Sequence, residues 1–153
     1  MLPANREQLD GLLRGGVLRN LDDVHAAVWS SVSDPALLEL CRLRAAAMLG
    51  AADALAWRSP IALDAGLDDA KVAALDDWAA APCFDARERA YLDFTEQFVT
   101  SVSHVSDAQI AALCAHDTER DVATFISALY ALEFTTRVAL VSSAVLSSGE
   151  VLA

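Results

Sequence analysis

The chain has 153 residues, of which 55% are hydrophobic and 22% charged, and its formal net charge is −11. This is the length of one domain with a core of its own. The acidic balance argues against nucleic acid and anionic membranes as partners, because both carry negative charge. With only 6 glycines and 4 prolines, long helices are favoured over turn-rich β-structure. The predicted fold class is therefore all-α.

Start and stop signals divide the chain into predicted helices. Asp34-Pro35 places a capping residue before a proline at the first helical position, and Asp85 with Glu88 forms a capping box. Gly50 is expected to bend or restart the chain, and Pro60 to end the helix that follows. In chain order the predicted helices span about residues 5–14, 20–32, 35–50, 51–59, 68–80, 85–102, 106–115 and 119–147.

The predicted organisation has three parts. Residues 1–33 are expected to form a helical segment packed on the core, residues 34–148 the helical core, and residues 149–153 a tail. The last helix is apolar around much of its circumference, and one stripe contains Val122, Ile126, Leu129 and Leu140. Such a helix is normally buried against other helices or against a partner subunit, so a bundle is predicted.

The cysteines and histidines form no recognisable metal or redox motif. Cys41, Cys83 and Cys114 lack both metal-ligand and CxxC spacing, and the three histidines are scattered. We therefore predict reduced thiols, no metal site and no cofactor. The N-terminal sequence MLPANREQLDGLL is too charged for a secretory signal, and the predicted localisation is cytoplasmic.

Two segments resemble the family of carboxymuconolactone decarboxylases and AhpD-like alkylhydroperoxidases. They are ELCRLRAAAMLGAADALAWR at residues 39–58 and WAAAPCFDARERAYLDFTEQF at residues 78–98. The sequence ALYALEFTTRVAL at residues 128–140 is similar to the family's last helix, and the resemblance covers about residues 34–146. It implies an AhpD-like helical bundle that assembles as a homo-oligomer, a trimer or a hexamer.

The chain departs from the family's pattern at the redox positions. In AhpD-like members a glutamate is followed by a Gly-Cys-x-x-Cys motif and then by a histidine. Here Glu39 keeps the glutamate position, whereas Ala51 and Ala54 stand at the cysteine positions and Arg58 at the histidine position. Peroxide reduction by this route needs a nucleophilic thiolate and a resolving thiol. Thiol peroxidase activity is therefore not expected.

Two carboxylates are candidate catalytic groups. Glu39 lies among apolar helical neighbours, where it either serves as a general acid or base or pairs with Arg42 one turn on. Glu133 falls at the centre of the apolar stripe of the last helix, where a carboxylate is costly to bury unless it is paired. Arg137, at i+4, is its natural partner. The family's last helix often carries an Asn-x-x-Asn-Arg pattern. At these positions the chain has Glu133, Thr136 and Arg137, so the arginine is kept and both asparagines are replaced.

Four residues are candidate substrate-binding groups: Arg42, Trp57, Arg58 and Arg137. Arginine binds carboxylates and oxyanions but stays protonated near neutral pH. The first hypothesis is a non-redox, cofactor-free small-molecule enzyme, with acid–base lyase, isomerase or decarboxylase chemistry on an anionic or carbonyl substrate. The alternative is a non-catalytic binding or assembly subunit derived from a peroxidase scaffold. A concave site that faces both Glu39 and Arg58 favours the enzyme, and a filled site favours the subunit.

Overall fold

The computed structural model describes the backbone of residues 17–151, with the side chains of residue 21 and residues 23–145. All regular structure in this part of the chain is helical, which confirms the predicted all-α class. The predicted helix over residues 5–14 lies outside the described residues. The α-helices are α1 (Val17–Ser31), α2 (Pro35–Met48), α3 (Ala52–Ala56), α4 (Pro60–Asp64), α5 (Asp69–Ala73), α6 (Ala86–Ser101), α7 (Asp107–Cys114) and α8 (Glu119–Val151), with short 3-10 helices at Leu75–Asp77 and Val102–His104.

The central helix of the bundle is α2. It packs against α3, α4, α6 and α8, and most of its residues are buried. A helix that is apolar around most of its circumference is stable only where neighbours surround it. Its side chains join those of α6 and α8 in one core, which includes Leu37, Leu38, Leu43, Tyr91, Leu92, Phe94, Leu129 and Leu132.

Gly50 ends α2 and lets the chain leave in a new direction, as predicted. Its φ is +66°, a left-handed conformation that glycine adopts without steric cost. The N–H of Ala51 donates to the carbonyl of Ala46 at 2.9 Å, and that of Gly50 to Ala47 at 3.1 Å. These two bonds form the Schellman motif, which satisfies carbonyls at the end of a helix.

Three predicted helix boundaries are wrong. The helix predicted over residues 51–59 ends at Ala56, and Pro60 begins a helix that was not predicted, because Ser59 caps the N–H of Ala62 and proline suits the first helical position. The helix predicted over residues 68–80 is limited to α5 and a 3-10 turn, in which Asp77 donates to the carbonyl three residues earlier. The last helix continues past residue 147, because Gly149 takes helical backbone here and the helix ends at Val151.

Only the first half of α8 contributes to the core. Val122, Phe125, Leu129 and Leu132 are buried, whereas no side chain from residue 136 to residue 145 is. By length and composition alone, Glu119–Val145 is apolar enough to cross a membrane. Core helices of globular proteins meet the same criterion, and the first half of α8 is such a helix.

An ion-pair network ties the start of α2 to α6 and to the connection between α7 and α8. Arg87 donates to Asp34 and to Asp117, at 2.7 Å in each case, and the Tyr91 hydroxyl donates to Asp117 at 2.9 Å. Burial alone pushes the pKa of Asp117 up, but the hydrogen bonds from Arg87 and Tyr91 outweigh it and hold this pKa below its usual value. The folded state therefore favours the charged form of Asp117.

We expect acid to destabilise the protein partly through Asp117. Its pKa is lower in the folded chain than the ordinary value of 3.8, so its contribution is present above about pH 4 and is lost as the pH falls through the folded-state pKa. Asp117→Asn should be less stable than wild type at neutral pH and should lose less stability below about pH 4. Urea denaturation across this range measures both effects.

The exposed Asp64 supplies the matched control for this measurement. Asp64→Asn should leave both the stability and its acid dependence close to wild type, because exposed carboxylates contribute little. The same acid dependence in Asp117→Asn and in wild type would contradict the assignment.

Candidate functional site

Glu39 lies on α2 with none of its surface exposed. Arg42, one turn on, donates from Nε to Oε2 at 2.7 Å and from Nη2 to Oε1 at 2.8 Å. The backbone N–H of Ser59 donates to Oε1 at 3.2 Å. Both carboxylate oxygens thus have donors inside the protein, and the ion pair expected as the alternative to a catalytic role is formed.

Arg42 holds the chain that follows Gly50. Its Nη1 donates to the carbonyl of Ala54 at 2.9 Å and its Nη2 to that of Trp57 at 3.0 Å. Carbonyls at the end of a short helix such as α3 lack helical partners. Since Arg42 binds these carbonyls and Glu39 together, it fastens α3 and the segment after it against α2.

Trp57 is enclosed by Arg42 and by two rings of α1. The guanidinium carbon of Arg42 is 5.1 Å from the centroid of the Trp57 ring. The ring centroids of His25 and Trp29 are 5.4 and 6.1 Å from that of Trp57. Trp29 is buried, and its indole N–H has no acceptor among the described residues. Sequence reasoning missed both rings: their i, i+4 spacing places them on one face of a helix, but nothing local connects that face to Trp57.

The positions that carry redox chemistry in AhpD-like proteins are occupied by inert groups. Ala51 is buried at the start of α3, and Ala54 is half-buried. The guanidinium of Arg58 donates to the carbonyls of Leu55 and Trp57, the latter at 2.8 Å, where a cation suits the C-terminal end of a helix. The structure therefore brings Arg42 and Trp57 to Glu39, but it gives Arg58 a capping contact instead.

The cysteines are remote from this chemistry. Cys41 is buried in the core, and burial raises the pKa of its thiol to about 12, so a thiolate is suppressed at neutral pH. Cys83 is half-buried and Cys114 is exposed, and each is a free thiol. Across the residues that the structure describes, no group of three His, Cys, Asp or Glu side chains is placed to hold a metal ion.

Glu133 and Arg137 form a second cluster, on α8. Glu133 is buried, and Arg137 donates from Nε to Oε1 of Glu133 and from Nη2 to the carbonyl of Val99 at 3.1 Å. The i, i+4 pair expected from the sequence is therefore present. Beside it lies a cavity of about 390 Å³, lined by Phe98, Val99, Thr100, Ser101, Val102, Ser103, Tyr130, Glu133 and Arg137.

The two clusters differ in access. Glu39 and Arg42 are buried, at 0% and 4% exposure, and their polar atoms bind protein groups. The arrangement around Glu39 is thus filled by protein groups, and its bonds stabilise the local fold. The pair on α8, in contrast, borders open space that a small molecule can enter. Sequence reasoning found both pairs, but it missed the aromatic lining of the second site.

We expect Arg42→Met to lower the free energy of unfolding by about 3–5 kcal/mol, because it leaves the charge of Glu39 buried without a partner. The double variant Glu39→Met/Arg42→Met should be more stable than Arg42→Met, because it removes the stranded charge. Guanidinium denaturation of the two variants and wild type measures the difference. A double variant that is less stable than Arg42→Met would contradict the pairing.

Comparison with known proteins places the chain in a family. Residues 16–97, more than half of the chain, match the carboxymuconolactone decarboxylase family. The fold is similar to the crystal structure of a protein of unknown function from Agrobacterium tumefaciens, for which the role of antioxidant defence protein AhpD has been suggested. The TM-score is 0.73 at 20% identity, over 81% of this chain and 86% of that one.

At 20% identity, this structural similarity establishes only the fold. The fold is the AhpD-like helical bundle that the sequence predicted. No curated protein matches the chain. The family match covers α1 to most of α6, which includes Glu39, Arg42 and the alanines at the thiol positions. On this match, and with this fold, the chain belongs to the carboxymuconolactone decarboxylase family.

Proposed function

We propose that this chain is a non-catalytic assembly subunit of the carboxymuconolactone decarboxylase family, which associates with further copies of itself through the second half of α8. The observation that carries the proposal is the closed state of Glu39. Both of its carboxylate oxygens are engaged by Arg42 and Ser59, and none of its surface is exposed. Of the two hypotheses drawn from the sequence, a filled site favours the subunit.

Acid–base catalysis at Glu39 lacks a substrate position. A general acid or base must lie within hydrogen-bond reach of the proton that it transfers, whereas this carboxylate has no exposed surface and both of its oxygens accept bonds from protein groups. Thiol chemistry cannot occur at positions 51 and 54, because both residues are alanine. The remaining polar groups bind the backbone of residues 54–59. What this site supplies is a rigid link between α2 and α3.

An exposed apolar stripe marks the surface for association. Tyr130, Phe134 and Val141 are 57%, 43% and 64% exposed. With Arg137 they follow the 4-3-4 spacing of a coiled-coil seam, which keeps all four on one face of α8. Large apolar side chains that are exposed together on one face mark an interaction site.

The charge of this surface suits a second copy of the chain. The protein carries a net charge of −11, so most faces of two copies repel each other. From Phe134 to Gly149 the only ionisable side chain is Arg137, and it is paired with Glu133. Contact between two copies of residues 134–149 therefore brings no acidic side chains of this segment together and leaves no unpaired charge of it buried.

The length of α8 also favours association with a second copy of the chain. Thr135 is its last buried residue among those whose side chains are described. Residues 136–151 continue the helix for roughly 24 Å. A helical extension of this length is marginal in water without packing, and it is shorter than the hydrocarbon layer of a bilayer, about 30 Å. A second protein surface therefore suits it better than a membrane span.

We expect Val141→Asp to shift the protein from an oligomer to monomers, because it places an unpaired charge in the apolar stripe at its most exposed position. Light scattering coupled to gel filtration measures the mass, and circular dichroism checks that the helices remain. The control is Leu63→Asp on α4, where the wild-type side chain is 49% exposed and lies off the stripe. This variant should keep the wild-type mass.

Three outcomes contradict the proposal. Wild-type protein that is monomeric at the highest concentration, or a Val141→Asp variant of unchanged mass, overturns the assembly surface. Wild-type protein that binds phosphatidylcholine vesicles without self-association would identify a membrane as the occupant instead. Turnover of a γ-lactone carboxylate or a hydroperoxide that is lost in Glu39→Gln would overturn the non-catalytic assignment.

A further inference from the structure

We propose that the cavity beside Glu133 and Arg137 binds a small, planar, uncharged molecule that presents a hydrogen-bond acceptor next to a donor, as an aromatic carboxamide does. The inference goes beyond the assembly role, because it assigns a ligand class to a site within one chain. It follows from the size of the cavity, the unused polar atoms of the ion pair and the aromatic walls.

The cavity has the dimensions of a ligand site. Its volume of about 390 Å³ lies in the range of small-molecule pockets, about 300–1,000 Å³. It is formed between the end of α6, the 3-10 helix at Val102–His104 and the middle of α8. The bond from Arg137 to the Val99 carbonyl joins α8 to α6, and Glu133 on the same helix fixes the guanidinium that makes it.

Two polar atoms of the ion pair take part in none of the described hydrogen bonds. Arg137 uses Nε for Glu133 and one N–H of Nη2 for Val99, and none of the described hydrogen bonds uses its Nη1. Glu133 accepts at Oε1, and none of them uses Oε2. A guanidinium has five N–H donors, and a carboxylate oxygen accepts more than one bond. The pair therefore keeps at least one donor and one acceptor that none of the described hydrogen bonds uses.

A neutral ligand that presents an acceptor to Arg137 and a donor to Glu133 matches these atoms. The carbonyl oxygen of a carboxamide accepts from Arg137, while its N–H donates to Glu133. The charges of Arg137 and Glu133 cancel, so the site does not favour a net charge on the ligand. A carboxylate ligand gains a bond from Arg137 but meets the like charge of Glu133, and the overall charge of −11 repels it further.

The walls suit an aromatic body. The rings of Phe98 and Tyr130 both line the cavity, and their centroids are 6.4 Å apart at an angle of 90°. Tyr130 is 57% exposed, which leaves its ring open to a further contact. Aromatic rings bind planar ligands by offset stacking and edge-to-face contact. The polar pair then fixes the orientation of a ligand held by these rings.

The test uses benzamide as the probe and benzoate as the charged comparison. Ligand-observed NMR and calorimetric titration of the full-length wild-type chain should show saturable binding of benzamide, and weaker binding of benzoate. Arg137→Met should weaken benzamide binding about tenfold or more, the usual effect of losing a hydrogen bond from a charged group. Arg120→Met, on an exposed arginine of the same helix that lines a different groove, should leave the affinity unchanged.

A second pair of variants distinguishes binding at the ion pair from binding to the apolar stripe of α8. Glu133→Gln leaves Arg137 as an uncompensated cation, so it should shift the preference from benzamide towards benzoate. Val141→Asp changes the stripe but no residue that lines the cavity, so benzamide should still bind when the oligomer dissociates. Tyr130 and Arg137 belong to the stripe as well as to the cavity wall, so dissociation of the oligomer uncovers the site. Benzamide should therefore bind monomeric Val141→Asp at least as tightly as it binds wild type.

Four results overturn the ligand assignment. They are the absence of saturable benzamide binding to both wild type and monomeric Val141→Asp, equal affinities of Arg137→Met and Arg120→Met, a preference for benzoate over benzamide, and binding to wild type that is lost in Val141→Asp.

Discussion

The local fold around α3 depends on the burial of one carboxylate. Glu39 lies in the centre of the most buried helix, where a lone charge costs several kcal/mol. Arg42 compensates this charge, and its remaining donors then need acceptors, which Ala54 and Trp57 provide. One buried charge thus dictates where the chain after Gly50 lies. No residue of α3 is fully buried, and these bonds add to the packing of half-buried Leu55 against the core.

The proposed non-catalytic role depends on the same arrangement. The glutamate position is retained, but its partner is a guanidinium on the same helix rather than groups that face a substrate. Alanine at positions 51 and 54 keeps the helix and removes the sulfur. A shared fold does not fix a shared reaction, and here the geometry around the retained residue argues for a structural role.

The long last helix carries two different surfaces. Its first half supplies Val122, Phe125 and Leu129 to the core, whereas none of the described side chains from residue 136 to residue 145 is buried. The Glu133–Arg137 pair lies at the transition between them, bordered by a cavity on one side and by the apolar stripe on the other. Because this segment is nearly free of charge in an acidic protein, it is the surface on which both proposed contacts converge.

The sequence by itself determined the features that depend on neighbouring residues. Asp34 caps α2, Asp85 and Glu88 form the capping box of α6, and Gly50 takes a left-handed backbone. Each follows from local side-chain and backbone chemistry, as do the ion pairs one turn apart. The family pattern, which places particular residue types at set spacings, was readable for the same reason.

Only the tertiary structure decided what these pairs do. The approach of Ser59 and Trp57 to Glu39 depends on the direction in which the chain leaves Gly50, and the ring contacts of Trp29 depend on how α1 packs. The end of α8 was also mispredicted from local sequence. Glycine disfavours a helix by only about 1 kcal/mol, and Gly149 is helical here. Whether a carboxylate is closed or open to a ligand is set by atoms distant in sequence, and no local pattern records them.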